Sequence, residues 1–429
     1  SRKNSKAKMK PPNRDNNNTK QLCCKISRKA TVKNKMRAHK LLLSQQQRTL
    51  LRLKPQRSEN RRRSRASNER CYASSNKKKL KVVVFSTSDY EREILEKQLN
   101  SHFHVTFLKP RLTIETVDLA HGYDAMCCFV NDDLSADVIE RLSEKCGVKM
   151  IALRCAGFDK VDVESCKKFG VLVYRVPMYD PLSIAEHAMA LILALNRKLM
   201  ISNSRVKSGN FTLDGLVGFS MRGKTLGVVG TGKIGRGLAN ICANGFGMSV
   251  LGYDLKQKRE FVGQYCDDVD TVLKNSDIIS LHLPLNEHTK HFIAEKEIDS
   301  MKRGAMLINT SRGGLLNIKD VICGLRLGKL GSLGIDVYES EEKIFFKDFS
   351  NLTVEEKMLY WDDTMAQLSS LPQVLVTPHQ AFLTHEALTE IAECTKQNIL
   401  EFARENAEEL DDAENDDART DVSNTTRVC

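Results

Sequence analysis

Three polar groups that could act together in acid–base chemistry follow apolar runs in the second half of the chain. Arg312 comes just after AMLINT, in a turn flanked by glycines, and His379 comes just after VLVTP. An acidic cluster follows LGSLGI between them. If these apolar runs are parallel strands, their carboxyl ends meet at one rim of a sheet, where ligands bind. The members of the acidic cluster are Asp336, Glu339, Glu341 and Glu342.

An imidazole, a carboxylate and a guanidinium at one rim suit the chemistry of a small acid. Histidine changes charge near neutral pH and can give or take a proton. A carboxylate beside it fixes which ring nitrogen faces the substrate, and Arg312 can grip a substrate carboxylate with two parallel hydrogen bonds. Taken singly, the three groups are equally well explained as a solvated arginine, an acidic loop and a core histidine. The spacing does not choose between Glu339, Glu341 and Glu342.

A glycine fingerprint precedes this rim in the stretch TLGVVGTGKIGRGLAN, which contains Gly230, Gly232 and Gly235. An apolar strand runs into it and a helical segment follows, which is the context that a dinucleotide-binding turn requires. Gly230 permits the turn, Gly232 lets the backbone approach a pyrophosphate, and Gly235 lets helix and strand pack closely. The free N–H groups of the helix then face the anion. The predicted cofactor loop consists of Gly230, Thr231, Gly232, Lys233, Ile234 and Gly235.

The next predicted strand ends at Asp254, 19 residues after Gly235. An acid at this place is expected to hydrogen-bond the ribose hydroxyls of NAD. Its negative charge repels a 2′-phosphate, so the sequence favours NAD over NADP. Three basic residues close by weaken that preference, namely Lys256, Lys258 and Arg259.

The rest of the body alternates apolar strands with helical stretches, which predicts parallel βαβ units covered on both faces. A first series comprises KVVVFS (81–86), HVTFL, DAMCCFV, VKMIALR and VLVYRV, and a second comprises TLGVVG, MSVLGYD, DIISLHL, AMLINT, LGSLGID and VLVTP. The predicted fold class is therefore α/β, with two doubly wound parallel sheets. One is a Rossmann-type NAD domain and the other a flavodoxin-like substrate domain.

A long apolar helix, at about Leu182–Met200, separates the two series. The final helix, at about Thr384–Arg404, has no following strand and is predicted to pack back on the first domain. The substrate domain then comprises residues 80–180 and 379–404, and the NAD domain residues 181–378. Residues 1–79 form a basic leader, and residues 405–429 an acidic tail predicted to be disordered.

The net charge of +12 is unevenly distributed along the chain. Residues 1–79 hold 26 Lys and Arg against three Asp and Glu, whereas residues 405–429 hold two basic and nine acidic residues. A disordered extension is the simplest interpretation of such a leader. Specific nucleic-acid binding is not indicated, because the leader has one aromatic residue, Tyr72, and no recognisable fold. A cleaved organelle presequence is favoured, since Arg- and Ser-rich segments poor in acids are typical of transit peptides. This predicts a mitochondrial matrix, ahead of a plastid, or a cytoplasmic location if the leader is not a presequence.

Length and composition argue against a membrane-spanning protein and against a cysteine-based metal site. The chain has 429 residues, enough for two or three domains. Its longest apolar stretch, Ala188–Leu195, is far shorter than the ~20 residues of a membrane-spanning helix, so membrane insertion is not expected. The 13 cysteines have no metal-type spacing, which indicates no metal site and a reducing compartment.

With these motifs in this order, residues 80–404 resemble the D-isomer-specific 2-hydroxyacid dehydrogenases. Within that family the stretch KIFFKDFSNLTVEEKMLYWDD resembles D-lactate dehydrogenases more than phosphoglycerate or glyoxylate reductases. The resemblance depends on LRCAGFDKVD (153–162), VPMYDPLSIAEHA (176–188), GVVGTGKIG (227–235), LINTSRGG (307–314), GIDVYESE (334–341) and TPHQAF (377–382).

The resemblance implies a role for each candidate residue. Arg312 would bind substrate, and Glu341 would be the acid paired with the acid/base His379. Backbone N–H groups of Ala156 and Gly157 would hold the substrate carboxylate. The pocket and the nicotinamide surroundings would be formed by Tyr179, Phe382, His282, Pro284, Thr310 and Asp336.

The implied reaction is reversible hydride transfer between NADH and a small 2-keto acid, pyruvate to D-lactate. A homodimer contact through the long apolar helix is also implied. Two alternatives stay open from the sequence. One is a glyoxylate or hydroxypyruvate reductase, and the other an NAD(H)-sensing corepressor-like interaction protein that retains a similar Arg/Glu/His set.

Overall fold

A computed structural model describes residues 79–353, 356–357, 362–411 and 426–429, without the side chains of residues 407–411. The basic leader, apart from Lys79, lies outside the described residues, and its role in targeting stays a prediction. Within the described part of the chain, no helix combines the length and apolar character required to span a bilayer.

The first sheet has five parallel strands in the order β2-β1-β3-β4-β5. This is the strand order of flavodoxin-like folds, the architecture predicted for the substrate domain. Its central strands are buried on both faces, as continuous apolar runs require. The strands are β1 (Lys81–Val84), β2 (His104–Phe107), β3 (Ala125–Cys128), β4 (Met150–Leu153) and β5 (Leu172–Arg175).

The second sheet has seven parallel strands in the order β12-β11-β10-β9-β6-β7-β8. The order reverses between β6 and β9, which is where a Rossmann-type sheet binds its dinucleotide. The predicted fold class is confirmed. The strands are β6 (Thr225–Val229), β7 (Ser249–Tyr253), β8 (Gln264–Tyr265), β9 (Ile278–Leu281), β10 (Ala305–Asn309), β11 (Leu330–Ile335) and β12 (Val374–Val376).

Helices cover both faces of each sheet, and apolar clusters fill the layers between them. Short helical turns lie at Val117–Ala120, Leu142–Cys146, Ile241–Gly245 and Gly313–Leu315. The helices are α1 (Asp89–Leu99), α2 (Ala136–Arg141), α3 (Val163–Lys168), α4 (Pro181–Asn196), α5 (Leu199–Lys207), α6 (Lys233–Asn240), α7 (Val269–Asn275), α8 (Glu295–Ser300), α9 (Ile318–Arg326), α10 (Glu341–Ile344), α11 (Asp363–Ser370) and α12 (His385–Asp411).

The long helix predicted at Leu182–Met200 is in fact two helices, α4 and α5. Pro181 occupies the first turn of α4, where its missing N–H costs nothing. The helix ends at Asn196, and Lys198 has a φ of 52°, in the left-handed region that stops a right-handed helix. The side chain of Asn196 also donates to Phe219 O at 2.9 Å, which ties the helix end to the following loop.

The acidic tail predicted to begin at residue 405 differs from the structure in two ways. Helix α12 lies against α1 and β4 of the first sheet and continues to Asp411. Residues 426–429 pair antiparallel with β5: Arg175 N donates to Thr426 O at 2.9 Å and Val428 N donates to Val173 O at 2.7 Å. These backbone bonds satisfy part of the open edge of β5, an interaction that the acidic composition conceals.

We expect removal of residues 426–429 to lower the free energy of unfolding by about 2 kcal/mol, because three backbone hydrogen bonds are lost. Urea denaturation of the chain ending at Thr425 measures this. The control is Arg427→Ala, which removes only an exposed ion pair with Glu405 and should cost under ~1 kcal/mol. Equal midpoints for the truncated and full-length chains would contradict the strand pairing.

Candidate active site

His379 and Glu341 meet at the carboxyl ends of β11 and β12. His379 Nδ1 lies 2.9 Å from Glu341 Oε1, and the two side chains are only 15% and 10% exposed. The other two candidate acids turn elsewhere: Glu339 binds His291 at 3.1 Å and Glu342 lies 3.7 Å from Lys160. The folded chain therefore pairs His379 with Glu341 and not with Glu339 or Glu342. The spacing in the sequence could not make this choice.

His379 is held in an unusual backbone conformation. Its φ is 55°, a left-handed value that costs a residue with a side chain on the order of 1–2 kcal/mol. His379 N donates to Asp336 O at 2.8 Å, and Gln380 N and Ala381 N donate to the two Asp336 carboxylate oxygens at 2.9 and 2.8 Å. Asp336 is fully buried at the end of β11. Its carboxylate thus compensates the strained turn and aims the imidazole at Glu341.

His187, on α4, joins the same network although the sequence analysis assigned it no role. Its Nε2 lies 3.0 Å from Thr377 Oγ1 and 3.4 Å from Asp336 Oδ1, and Thr377 Oγ1 donates to Asp336 Oδ1 at 2.5 Å. His187 belongs to the motif VPMYDPLSIAEHA, which was the only sequence signal for it. Helix α4 is therefore connected to the loop that carries His379.

Arg312 lies across from the loop that follows β4. Its Nη1 donates to Ser311 O at 2.8 Å and its Nε lies 3.3 Å from Asp159 Oδ1. A Cβ built on Gly157 would overlap Arg312 Nη2, so the glycine is required for the guanidinium to lie against the loop backbone. Asp159 was not predicted, because nothing local links it to an arginine 153 positions away.

The loop at Ala156 and Gly157 turns its carbonyl groups toward the protein. Ala156 O accepts from Arg175 Nη1 at 2.8 Å, and Gly157 O accepts from the Cys155 thiol at 3.2 Å. Burial raises the pKa of Cys155 to about 12, so it stays a neutral thiol. Neither Ala156 N nor Gly157 N donates to any described residue. Two backbone donors beside a guanidinium form an arrangement that suits a carboxylate.

Aromatic side chains form an apolar wall beside His379. The ring of Phe382 lies 6.5 Å from that of His379 and 6.2 Å from that of Tyr179. Phe346 lies 6.2 Å from the imidazole on another side, and Phe129 contacts both phenylalanines. Burial raises the pKa of Tyr179 to about 12, so the phenol is neutral at physiological pH. Phe129 and Phe346 were missed, because an aromatic residue in a loop is unremarkable in sequence.

The glycine loop joins β6 to α6 as predicted. Gly230 has a φ of 94°, and a Cβ there would overlap His282 O. A Cβ on Gly235 would overlap Gly230 O, so both glycines are required by close backbone packing. A Cβ on Gly232 would meet nothing within 4 Å, so this part of the turn opens toward solvent. The turn therefore exposes the start of α6 to an approaching anion, as a pyrophosphate site requires.

Asp254 lies at the end of β7, beside this turn. Its Oδ2 accepts from Thr231 N at 2.6 Å and from Thr231 Oγ1 at 3.0 Å, and Thr231 is fully buried. The neighbouring residues of the turn are more open: Lys233 is exposed, with Nζ 2.7 Å from Met178 Sδ, and Ile234 is half-buried. The carboxylate thus fixes the glycine turn and leaves a negative charge at the edge where a ribose is expected.

Two buried polar atoms near the switch point have no hydrogen-bond partner among the described residues. They are His282 Nδ1, after β9, and Thr310 Oγ1, after β10. Burial lowers the pKa of His282 to about 4, so the ring is neutral, and its Nε2 lies 2.9 Å from Ser280 Oγ. Pro284, also predicted to lie here, is exposed. Unpaired buried groups are rare in folded proteins. Their position fits a polar ligand such as the nicotinamide half of NAD.

The hydrogen bonds accepted by Asp336 predict how its replacement changes the free energy of unfolding. Replacing Asp336 with Asn puts an NH₂ group against a backbone donor, so we expect the free energy of unfolding to fall by about 2 kcal/mol. The amide protons of residues 379–381 should also exchange faster in hydrogen-exchange measurements. Asp137→Asn, in the exposed first turn of α2, is the control and should cost under ~0.5 kcal/mol. Unchanged protection at residues 379–381 would show that Asp336 does not hold the loop.

Comparisons with known proteins agree with this geometry. Residues 189–381 match the family model for the NAD-binding domain of D-isomer specific 2-hydroxyacid dehydrogenases. The chain is 44% identical to the D-lactate dehydrogenase of Escherichia coli K12 over 329 residues, which cover 75% of this chain and 96% of that one.

Two solved structures extend the agreement to the fold. One, described as the pyruvate reductase of Chlamydomonas reinhardtii, is 45% identical, covers 76% of this chain and 97% of its own, and has a TM-score of 0.72. The other, D-lactate dehydrogenase with NAD⁺ from Lactobacillus jensenii, is 32% identical with coverages of 76% and 97% and a TM-score of 0.63. At such identities over almost the full length of each relative, this chain belongs to the D-isomer-specific 2-hydroxyacid dehydrogenases, which are NAD-dependent enzymes.

Proposed function

We propose that this enzyme is a D-lactate dehydrogenase that reversibly reduces pyruvate to D-lactate, with His379 as its acid/base. The 2.9 Å pairing of His379 Nδ1 with Glu341 Oε1, at the rim that also holds Arg312, carries the proposal. The names of two relatives support the substrate: one is a D-lactate dehydrogenase and one is described as a pyruvate reductase.

Substrate binding is assigned to the loop after β4 together with Arg312. The unpaired N–H groups of Ala156 and Gly157 would hold the carboxylate, and Arg312 Nη2, which lies against Gly157, supplies positive charge. The same guanidinium stabilises the negative charge that develops on the carbonyl oxygen during reduction. The substrate is thereby oriented before any bond changes.

Proton transfer is assigned to the free nitrogen of His379. Because Glu341 engages Nδ1, Nε2 is the ring nitrogen left to exchange a proton with the substrate oxygen. In reduction the charged imidazole gives up this proton, and in oxidation the neutral ring takes it back. NADH, when bound, would supply the hydride for the neighbouring carbon. Glu341 keeps the ring oriented.

The aromatic wall beside His379 supports a substrate with a small apolar group. Phe382 lies beside the imidazole and Tyr179 lies beside Phe382. Phe382 is buried and Tyr179 is half-buried, so the two rings suit a methyl group such as that of pyruvate. They also help to exclude water from the reacting groups. Neutral His282 and Thr310, whose polar atoms lack partners, would hold the nicotinamide side of the cofactor.

A homodimer is a further part of the proposal. An exposed apolar surface covers the start of α4, helix α5 and the following loop, and a second copy is its proposed occupant. Exposed apolar side chains that lie together often mark an interaction surface. Its members are Leu182, Leu199, Met200, Val206, Phe211, Leu213, Val217 and Phe219.

Replacing His379 with Ala should lower kcat for pyruvate reduction by about 10²–10⁴-fold, because general acid catalysis is lost. NADH binding, followed by fluorescence titration, should stay within about twofold, since His379 contacts no part of the glycine turn. His288→Ala, an exposed histidine, is the control and should leave kcat unchanged. Undiminished pyruvate reduction by the His379 variant would remove the mechanism.

A panel of substrates tests the choice of reaction with the unaltered enzyme. Pyruvate should be reduced faster than glyoxylate or hydroxypyruvate, and D-lactate should be oxidised in preference to L-lactate. Faster turnover of glyoxylate would favour the reductase alternative. Tight NADH binding with negligible turnover of every substrate would favour a sensor.

Sedimentation of the enzyme should give twice the chain mass if the apolar surface is a dimer contact. The double variant Phe211→Lys, Val217→Lys should weaken association about tenfold or more, because Val217 is 86% exposed in the single chain and would be buried in a dimer. Leu327→Lys alters a 67% exposed leucine elsewhere and should have no effect. A monomeric unaltered enzyme would refute this assignment.

A further inference from the structure

Asp159 brings a negative charge into the loop that is proposed to hold the substrate carboxylate. Its Oδ1 lies 3.3 Å from Arg312 Nε, and the two side chains are 36% and 28% exposed. A Cβ built on Gly157 would lie 2.9 Å from the same oxygen. The carboxylate, the guanidinium and the glycine backbone therefore converge at one point.

The guanidinium of Arg312 is held on two of its three nitrogen atoms. Asp159 accepts from Nε, and Ser311 O accepts from Nη1 at 2.8 Å. Nη2 has no hydrogen-bond partner among the described residues and lies against Gly157. With two nitrogens occupied by the protein, the orientation of Nη2 toward the carboxylate loop depends on Asp159.

Neighbouring groups do not neutralise Asp159 in place of Arg312. Lys160 donates to Asn131 Oδ1 at 3.1 Å and lies 3.7 Å from Glu342. The Cys155 thiol stays uncharged, because burial raises its pKa to about 12. The negative charge of Asp159 is thus shared with the substrate-binding arginine alone among the contacts that the structure describes.

We infer that Asp159 is a positioning residue that orients Arg312 toward Gly157. This inference rests on the proposed function of the site. Because Nε and Nη1 are held by the protein, Nη2 and the two backbone N–H donors are left for the substrate carboxylate.

The test compares two replacements of Asp159 in assays of pyruvate reduction. Asp159→Ala removes the acceptor of Arg312 Nε and should raise KM for pyruvate about tenfold with a smaller change in kcat, because Arg312 loses its orientation. Asp159→Asn keeps an oxygen acceptor for Nε and should recover most of the loss in KM.

Glu342→Gln is the matched control, since it removes an acid from the same rim that does not contact Arg312. It should leave KM for pyruvate within about twofold. If the unaltered enzyme reduces pyruvate but Asp159→Ala keeps its KM, or if Asp159→Asn is impaired as much as Asp159→Ala, the positioning role is wrong. Failure of the unaltered enzyme to reduce pyruvate would instead refute the proposed function.

Discussion

The buried carboxylate of Asp336 is the interaction on which the arrangement of the site depends. It lies at the end of β11 and accepts hydrogen bonds from Thr377 Oγ1 and from the backbone of Gln380 and Ala381. Those bonds offset the left-handed backbone of His379 and the desolvation of the charge itself. A buried charge with fewer donors would destabilise the fold, so the turn and the carboxylate require each other.

The residues around Asp336 are connected to elements of both sheets. His187 connects the network to α4, which packs on α6 at the start of the nucleotide turn. The loop after His379 leads directly into α12, which lies against the first sheet. Phe382, on that loop, completes the aromatic wall with Tyr179. The imidazole is therefore oriented by elements of both sheets, and the loop proposed to hold the substrate carboxylate follows β4 of the first sheet.

Much of the fold and part of the site follow from local sequence signals. Apolar runs predicted the two parallel sheets, and the three glycines predicted the nucleotide turn, because strand burial and tight turns depend on neighbouring residues. The break between α4 and α5 was missed, since Lys198 adopts a left-handed conformation that no residue type there announces. The pairing of residues 426–429 with β5 was missed because an acidic tail gives no strand signal.

The residues that sequence could not choose or find are those defined by long-range ion pairs. Glu339, Glu341 and Glu342 are nearly equivalent in spacing, and only the position of His379, His291 and Lys160 in the folded chain distinguishes them. Asp159 and Arg312 are likewise unrelated until β4 and β10 bring their following loops together. The charges at this rim thus form separate pairs, Glu341 with the imidazole and Asp159 with the guanidinium. In the proposed mechanism each pair orients one group that acts on the substrate, so the positive charge offered to the substrate carboxylate has a fixed direction.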